Sequence, residues 1–147
     1  MKIHQLSLFA ENKPGHITAP CRLLAAEGVD IRALSLADTQ RFGILRMIVS
    51  DQERARRLLS EAGYVVTVTE VLALEVPDRP GGLAEVLGVF EGSTINIEYM
   101  YAFPFGRGQK AVLIFRFDQP DAAMELLRDH GIQVLADAHL YPANASR

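Results

Sequence analysis

Asn12-Lys13-Pro14-Gly15 returns as Asp78-Arg79-Pro80-Gly81, sixty-six positions further along the chain. At the same shift Leu6 and Leu8 fall on Leu72 and Leu74, Leu24 falls on Phe90, and Val29-Asp30-Ile31 falls on Ile95-Asn96-Ile97. Past the middle the shift becomes 68: Ala55 meets Ala123, Leu58-Leu59 meets Leu126-Leu127, and Gly63 meets Gly131. The second copy gains its two residues near "FPFGRGQ", a predicted hairpin loop, where added length costs little. An internal repeat of this period means one supersecondary plan used twice. With 147 residues, each copy is a small unit with a modest core of its own.

Both copies read strand, helix, strand, strand, helix, strand. In the first, Ile3–Phe9 alternates as a strand, and residues 18–27 are helical up to Gly28. Strands follow at Asp30–Ala37 and Ile44–Val49, then a helix at Gln52–Ala62 and a strand at Tyr64–Thr69. The second predicts strands at 71–76, 95–103, 110–117 and 133–139, with helices at 82–91 and 120–130. "YVVTVTEVLALEV" carries strand character straight across the boundary. The expected fold class is α+β: two ferredoxin-like βαββαβ domains, residues 1–70 and 71–141, each an antiparallel sheet with its helices on one face. Residues 142–147, "PANASR", are expected to form a flexible tail.

Net charge is −3 with no basic block, which gives no electrostatic reason to expect a nucleic-acid partner. The opening "MKIHQLSLFAE" alternates, and neither a signal peptide nor a membrane helix of roughly 20 apolar residues is legible. A cytoplasmic location with no membrane partner is the expectation. The single cysteine, Cys21, precludes an internal disulfide and reads as a structural thiol beside an apolar helical run. The histidines at 4, 16, 130 and 139 lack metal-ligand spacing. No nucleophile elbow is present, and "GRG" at 106–108 lies between strands rather than before a helix. No metal or cofactor is expected.

The doubled turn has two readings. Proline fixes its own φ and glycine allows positive φ, so the pair turns a strand into a helix. The first helical N–H groups lack partners and carry positive partial charge, which suits a small carboxylate. Alternatively the turn is purely structural, with Asn12 or Asp78 as helix cap. The copies differ: neutral Asn12 both donates and accepts, whereas Asp78 only accepts and suits an ammonium or a cap. Pro20 sets the first helix start near Thr18, leaving the N–H groups of Gly15, His16 and Ile17 to face a ligand. The His16 side chain either binds a carboxylate or covers the turn.

The two Pro-Gly turns, each opening a βαββαβ unit, together with "VDIRAL", "INIEYM", "NIEYMYAF" and "ALSLADTQRFGILRMIV", resemble the ACT domain family over residues 1–141. The likeness is to small stand-alone proteins made of two ACT domains. The resemblance implies a free amino acid bound where the first turn of one domain meets the second strand of its neighbour. It carries over Asn12, Gly15, His16, Ile17, Asp30 and Ile31 from the first copy. From the second it carries over Asp78, Gly81, Gly82, Leu83, Asn96 and Ile97.

On the second strands, Ala33, Ser35 and Ala37 in the first copy answer Tyr99, Tyr101 and Phe103 in the second. These positions either wall a pocket or pack an ordinary core; a buried tyrosine hydroxyl needs a partner, which a ligand can supply. Asp38 and Thr39, at the hairpin, either cap it or meet the ligand's polar end. A non-catalytic amino-acid sensor is therefore expected. It would act as a homodimer, since each chain leaves sheet edges and a sheet face to cover, and would regulate an unidentified target enzyme. The alternatives are a small cofactor-independent enzyme using His16 or Glu98, and a structural regulatory subunit of an amino-acid-metabolic enzyme.

Overall fold

The computed structural model describes residues 2–38, 41–104, 106 and 108–140. The chain divides into two compact units, His4–Thr69 and Met1–Ile3 with Glu70–Arg147. The first repeat gives β1 (Ile3–Glu11), α1 (Thr18–Ala26), β2 (Ile31–Asp38), β3 (Phe42–Val49) and α2 (Gln52–Glu61). The uninterrupted strand β4 (Val65–Pro77) closes it and opens the second repeat. That continues with α3 (Gly82–Gly88), β5 (Ile97–Ala102), β6 (Lys110–Phe117), α4 (Pro120–Asp129), β7 (Val134–Leu135) and the short α5 (Asp137–Leu140).

In the first unit the strand order is β2-β3-β1-β4. In the second it is β7-β4-β6-β5. The repeat reaches fine detail: β2 shifts register between Ile31 and Ala33, and β5 between the matching Ile97 and Tyr99. Strand alternation sends Leu6, Leu8, Leu45 and Met47 to the face on which Leu24 of α1 and Ala55 and Leu59 of α2 pack. In the second unit Leu72, Leu74, Phe115 and Phe117 meet Val86, Phe90, Ala123 and Leu127 in the same way. The expected α+β plan, with antiparallel sheets and helices on one face, is therefore the observed one.

α1, α2 and α4 end alike. The N–H of Val29, Tyr64 and Ile132 returns to the carbonyl of Leu24, Leu59 and Leu127 at 2.9–3.0 Å, with Gly28, Gly63 and Gly131 at the bend. α3 is shorter than expected. After Gly88 the bonds tighten to the three-residue span, Phe90 N–H to Leu87 O and Glu91 N–H to Gly88 O. The strand expected over 133–139 stops at Leu135, and Asp137 begins a helical turn instead; Ala136 and Asp137 are weak strand formers. The start of the chain is tied to the second unit by Lys2, whose Nζ lies 2.9 Å from Glu70 Oε2 and 3.0 Å from Asp121 Oδ1. These bonds hold its ammonium above its ordinary range. The expected tail lies outside the described residues.

Candidate functional site

The doubled sequence makes one turn twice. Where β1 and β4 end, Asn12 N–H donates to Arg41 O and Asp78 N–H to Gln109 O, both at 3.0 Å. Lys13 N–H then donates to Glu11 O, and Arg79 N–H to Pro77 O. A four-residue turn follows, closed by His16 N–H to Lys13 O at 3.2 Å and by Gly82 N–H to Arg79 O at 3.0 Å. Pro14 and Pro80 occupy its second position, and Gly15 (φ 82°) and Gly81 (φ 84°) its third. That is a type II turn, whose third position demands positive φ. The same glycine carbonyls accept the first helical bonds, from Ala19 N–H and Glu85 N–H. Chain reversal and helix start are thus fused in one step.

The structure differs from the sequence reading in two respects. Neither α1 nor α3 has a side-chain cap, so Asn12 and Asp78 are not helix caps. The His16 N–H is consumed by the turn. The groups without a partner among the described residues are the N–H of Gly15, Ile17 and Thr18 and, in the second copy, of Gly81, Leu83 and Ala84. Thr18 was legible in principle, because the first turn of any helix leaves its N–H groups unpaired.

His16 covers the turn through its side chain. Its Nδ1–H donates to Lys13 O at 2.6 Å, which leaves Nε2 as the ring nitrogen not engaged by the turn. A Cβ added to Gly43 would come 3.6 Å from that Nε2 and 3.3 Å from Leu36 Cδ1. The imidazole and Leu36 thus flank a residue without a side chain at the start of β3. Around the first turn, residues Asn12–Thr18 line an open concavity of about 500 Å³. Its lining carries Lys13 and His16 and no acidic residue. The second turn borders a concavity of about 470 Å³ walled by Asp78, Arg79, Gln109 and Lys110. There Arg79 Nη2 is already held by both carboxylate oxygens of Glu85, at 2.9 and 3.0 Å.

Asp30, Ile31, Asn96 and Ile97 lie elsewhere. Asp30 N–H donates to Ser50 Oγ, and Ser50 N–H returns to Asp30 O, both at 2.9 Å. The matching Asn96 N–H donates to Asp118 Oδ1 at 2.8 Å, and Asp118 N–H returns to Asn96 O at 3.1 Å. Both pairs clamp the second strand to the start of the second helix. Ile31 and Ile97 pack against the two cores. The register Ile31↔Val49 and Asp38↔Gly43 separates this end of β2 from the turn by about 23 Å of strand. Within one unit, therefore, the turn and the start of the second strand do not share a site. Asp38 is at the turn's end of the sheet; Thr39 lies outside the described residues. Tyr99 and Tyr101, paired with Arg116 and Ile114, project to the face opposite the helices, as do Ala33, Ser35 and Ala37. Burial pushes the Cys21 thiol up, the behaviour of an unreactive cysteine. Among the described residues no cluster of acidic, histidine or cysteine groups can hold a metal ion. No helix there is long and apolar enough to cross a membrane.

A family model for the ACT domain pair matches residues 1–143. Protein BT0572 from Bacteroides thetaiotaomicron is 37% identical over 97% of each chain, with a TM-score of 0.89. The ligand-free regulatory subunit of aspartate kinase from Thermus thermophilus is 15% identical, covers 86% of this chain and 91% of its own, and has a TM-score of 0.60. E. coli aspartokinase III in complex with lysine and aspartate is 17% identical over 88% of this chain and 31% of its own, with a TM-score of 0.52. These last two likenesses concern the fold. No curated protein matches the chain. The chain belongs to the ACT domain pair family.

Proposed function

We propose that this protein is a non-catalytic sensor that binds a free amino acid at its first Pro-Gly turn and presents the bound form to a target enzyme. The observation that carries the reading is the open concavity at Asn12–Thr18. It offers the unpaired N–H groups of Gly15, Ile17 and Thr18 and contains no acidic side chain. Oriented N–H groups at a helix start favour a carboxylate. The exposed Asn12 amide orients the ligand's other polar groups. Calorimetry and thermal shift with each of the twenty amino acids test this. Selective, saturable binding by one or a few is expected. Turnover of an amino acid without cofactor would favour an enzyme instead, and no response to any would favour a structural subunit.

The concavity is one-sided, and the edge strand beside it supplies a reason for a second copy. β2 is the outer strand of its sheet, with Leu34 and Leu36 exposed to 54% and 49%. No charge interrupts it between Arg32 and Asp38. Such an edge invites strand pairing. A homodimer joined along β2 sets a partner chain next to Leu36 and His16, closing the ligand's open side. Light scattering is expected to give the dimer mass for the wild type and the monomer mass for Leu34→Glu/Leu36→Glu. A concentration-independent monomer in the wild type rules the dimer out.

A further inference from the structure

The edge strand β2 carries a pattern that the repeat does not require. Read from either end, residues 33–37 give Ala-Leu-Ser-Leu-Ala, and the flanking residues, Arg32 and Asp38, are of opposite charge. The matching stretch of the second copy, Glu98-Tyr99-Met100-Tyr101-Ala102-Phe103-Pro104, has no such symmetry. It is charged at one end and closes on a proline, which has no N–H to donate. Met100 packs against the second core, whereas the matching Leu34 is exposed, as is Leu36. The scaffold thus accepts an unsymmetrical second strand, yet the first copy keeps a symmetrical one at the outer edge of its sheet. The register shift in β2 lies between Ile31 and Ala33, so the stretch is regular strand from Ala33 to Asp38.

Two-fold symmetry gives such a pattern a physical meaning. In an isologous contact the same patch serves both copies, so it must complement itself. An antiparallel ladder pairs residues that both point toward each other or both away. The axis between two identical strands therefore passes through a residue position. An axis at Ser35 sets Leu34 opposite the partner's Leu36, Ala33 opposite the partner's Ala37, and Arg32 opposite the partner's Asp38. An axis at Leu34 instead sets Arg32 against the partner's Leu36 and Asp38 against the partner's Asp30. An axis at Leu36 sets Asp38 against the partner's Leu34. Opposite charges across two strands stabilise the pair, and like charges directly opposite destabilise it. Only the axis at Ser35 matches apolar with apolar and cation with anion throughout. Arg32 Nη1 already lies 3.1 Å from Asp30 Oδ2, but a guanidinium carries five donors, more than one carboxylate can use.

We infer that two copies pair antiparallel along β2 with the two-fold axis at Ser35, each end of the ladder closed by Arg32 of one copy and Asp38 of the other. This register rests on the homodimer proposed above. It brings the partner's Arg32 to Asp38, at the end of the sheet that carries the first turn. The test is disulfide cross-linking of the full chain with Ser35→Cys or Ala37→Cys in a Cys21→Ser background, read on non-reducing gels beside light scattering of the wild type. Directly opposite Cα atoms stand about 4.5–5.5 Å apart, within the disulfide range of about 4.4–6.8 Å. Position 37 lies about 13 Å from its own counterpart in this register. Ser35→Cys is expected to give a linked dimer and Ala37→Cys alone is not, whereas Ala37→Cys mixed with Ala33→Cys should link. Asp38→Lys should raise the dimer Kd by roughly fivefold or more, since two opposite-charge pairs become like-charge pairs. A link at position 37 without one at 35, no link at 35 in a protein of dimer mass, or an unchanged Kd in Asp38→Lys overturns the register while leaving the dimer. A monomeric wild type overturns both.

Discussion

Gly82→Ala is expected to destabilise the second unit by about 3 kcal/mol or more, as forced overpacking does at its severe end. A Cβ at this position would stand 1.9 Å from Pro77 O and 2.9 Å from Pro77 C. Neither atom is free to withdraw. Pro77 ends β4, pairs with Lys110, and its carbonyl accepts the Arg79 N–H. Making room requires opening the turn or unpairing the end of the strand. Set against the 5–15 kcal/mol that typically holds a domain together, the loss is large. Gly88→Ala is the control. It also lies in α3, a Cβ there meets nothing within 4 Å, and alanine favours helix over glycine by up to about 1 kcal/mol. Urea denaturation of the two variants checks the pair; a similar midpoint for both would mean that the turn yields easily.

Asn12→Asp is expected to abolish most amino-acid binding at the first turn while leaving the fold intact. The Asn12 side chain caps no helix, and its backbone bond to Arg41 O does not depend on the side chain. Asn12→Ala removes one hydrogen bond to a charged ligand, about 1.5–3 kcal/mol, or roughly 10- to 150-fold in affinity. Aspartate does worse, because it introduces an anion into a lining that has none and sets it beside the ligand's carboxylate. Two like charges about 4 Å apart repel by about 4 kcal/mol near a protein surface. Asp78→Ala should have a smaller effect. Calorimetry on the three variants, with melting curves to verify folding, decides the matter. Equal affinity in wild type and Asn12→Asp removes the proposed site, and a larger loss from Asp78→Ala moves it to the second turn.

The fold was legible because its signals are local and doubled. Alternation in Ile3–Phe9, Pro20 in the first turn of α1, and the glycines after α1, α2 and α4 each act within a few residues. The repeat confirmed some of them by a second instance, Gly63 with Gly131 and the Pro14-Gly15 turn with Pro80-Gly81. Part of what escaped was local and could have been read: Pro14-Gly15 carries the proline and glycine of a type II turn, which the N–H of the next residue, His16, closes. Asn12 has the composition of a cap, yet α1 begins too far downstream for it to serve as one. The separation of Asp30 from the turn within its unit is of another kind, because it is set by the register of β2 on β3, which no short window carries.

The stiffness of the first turn also bears on the amino-acid site proposed there. Pro14 fixes one dihedral and Gly15 relaxes into the only region the turn allows, so the cradle exists before anything enters it. A free amino acid has few atoms with which to bind, and small ligands rarely exceed about 1.5 kcal/mol for each non-hydrogen atom. With so little to gain, a cradle that had to be ordered first would bind nothing. One already in shape leaves most of that small sum for affinity. For the smallest amino acids, with about five non-hydrogen atoms, the ceiling corresponds to roughly micromolar dissociation constants. At that strength, occupancy of the proposed site would rise and fall with the surrounding pool of ligand instead of locking the protein in one state.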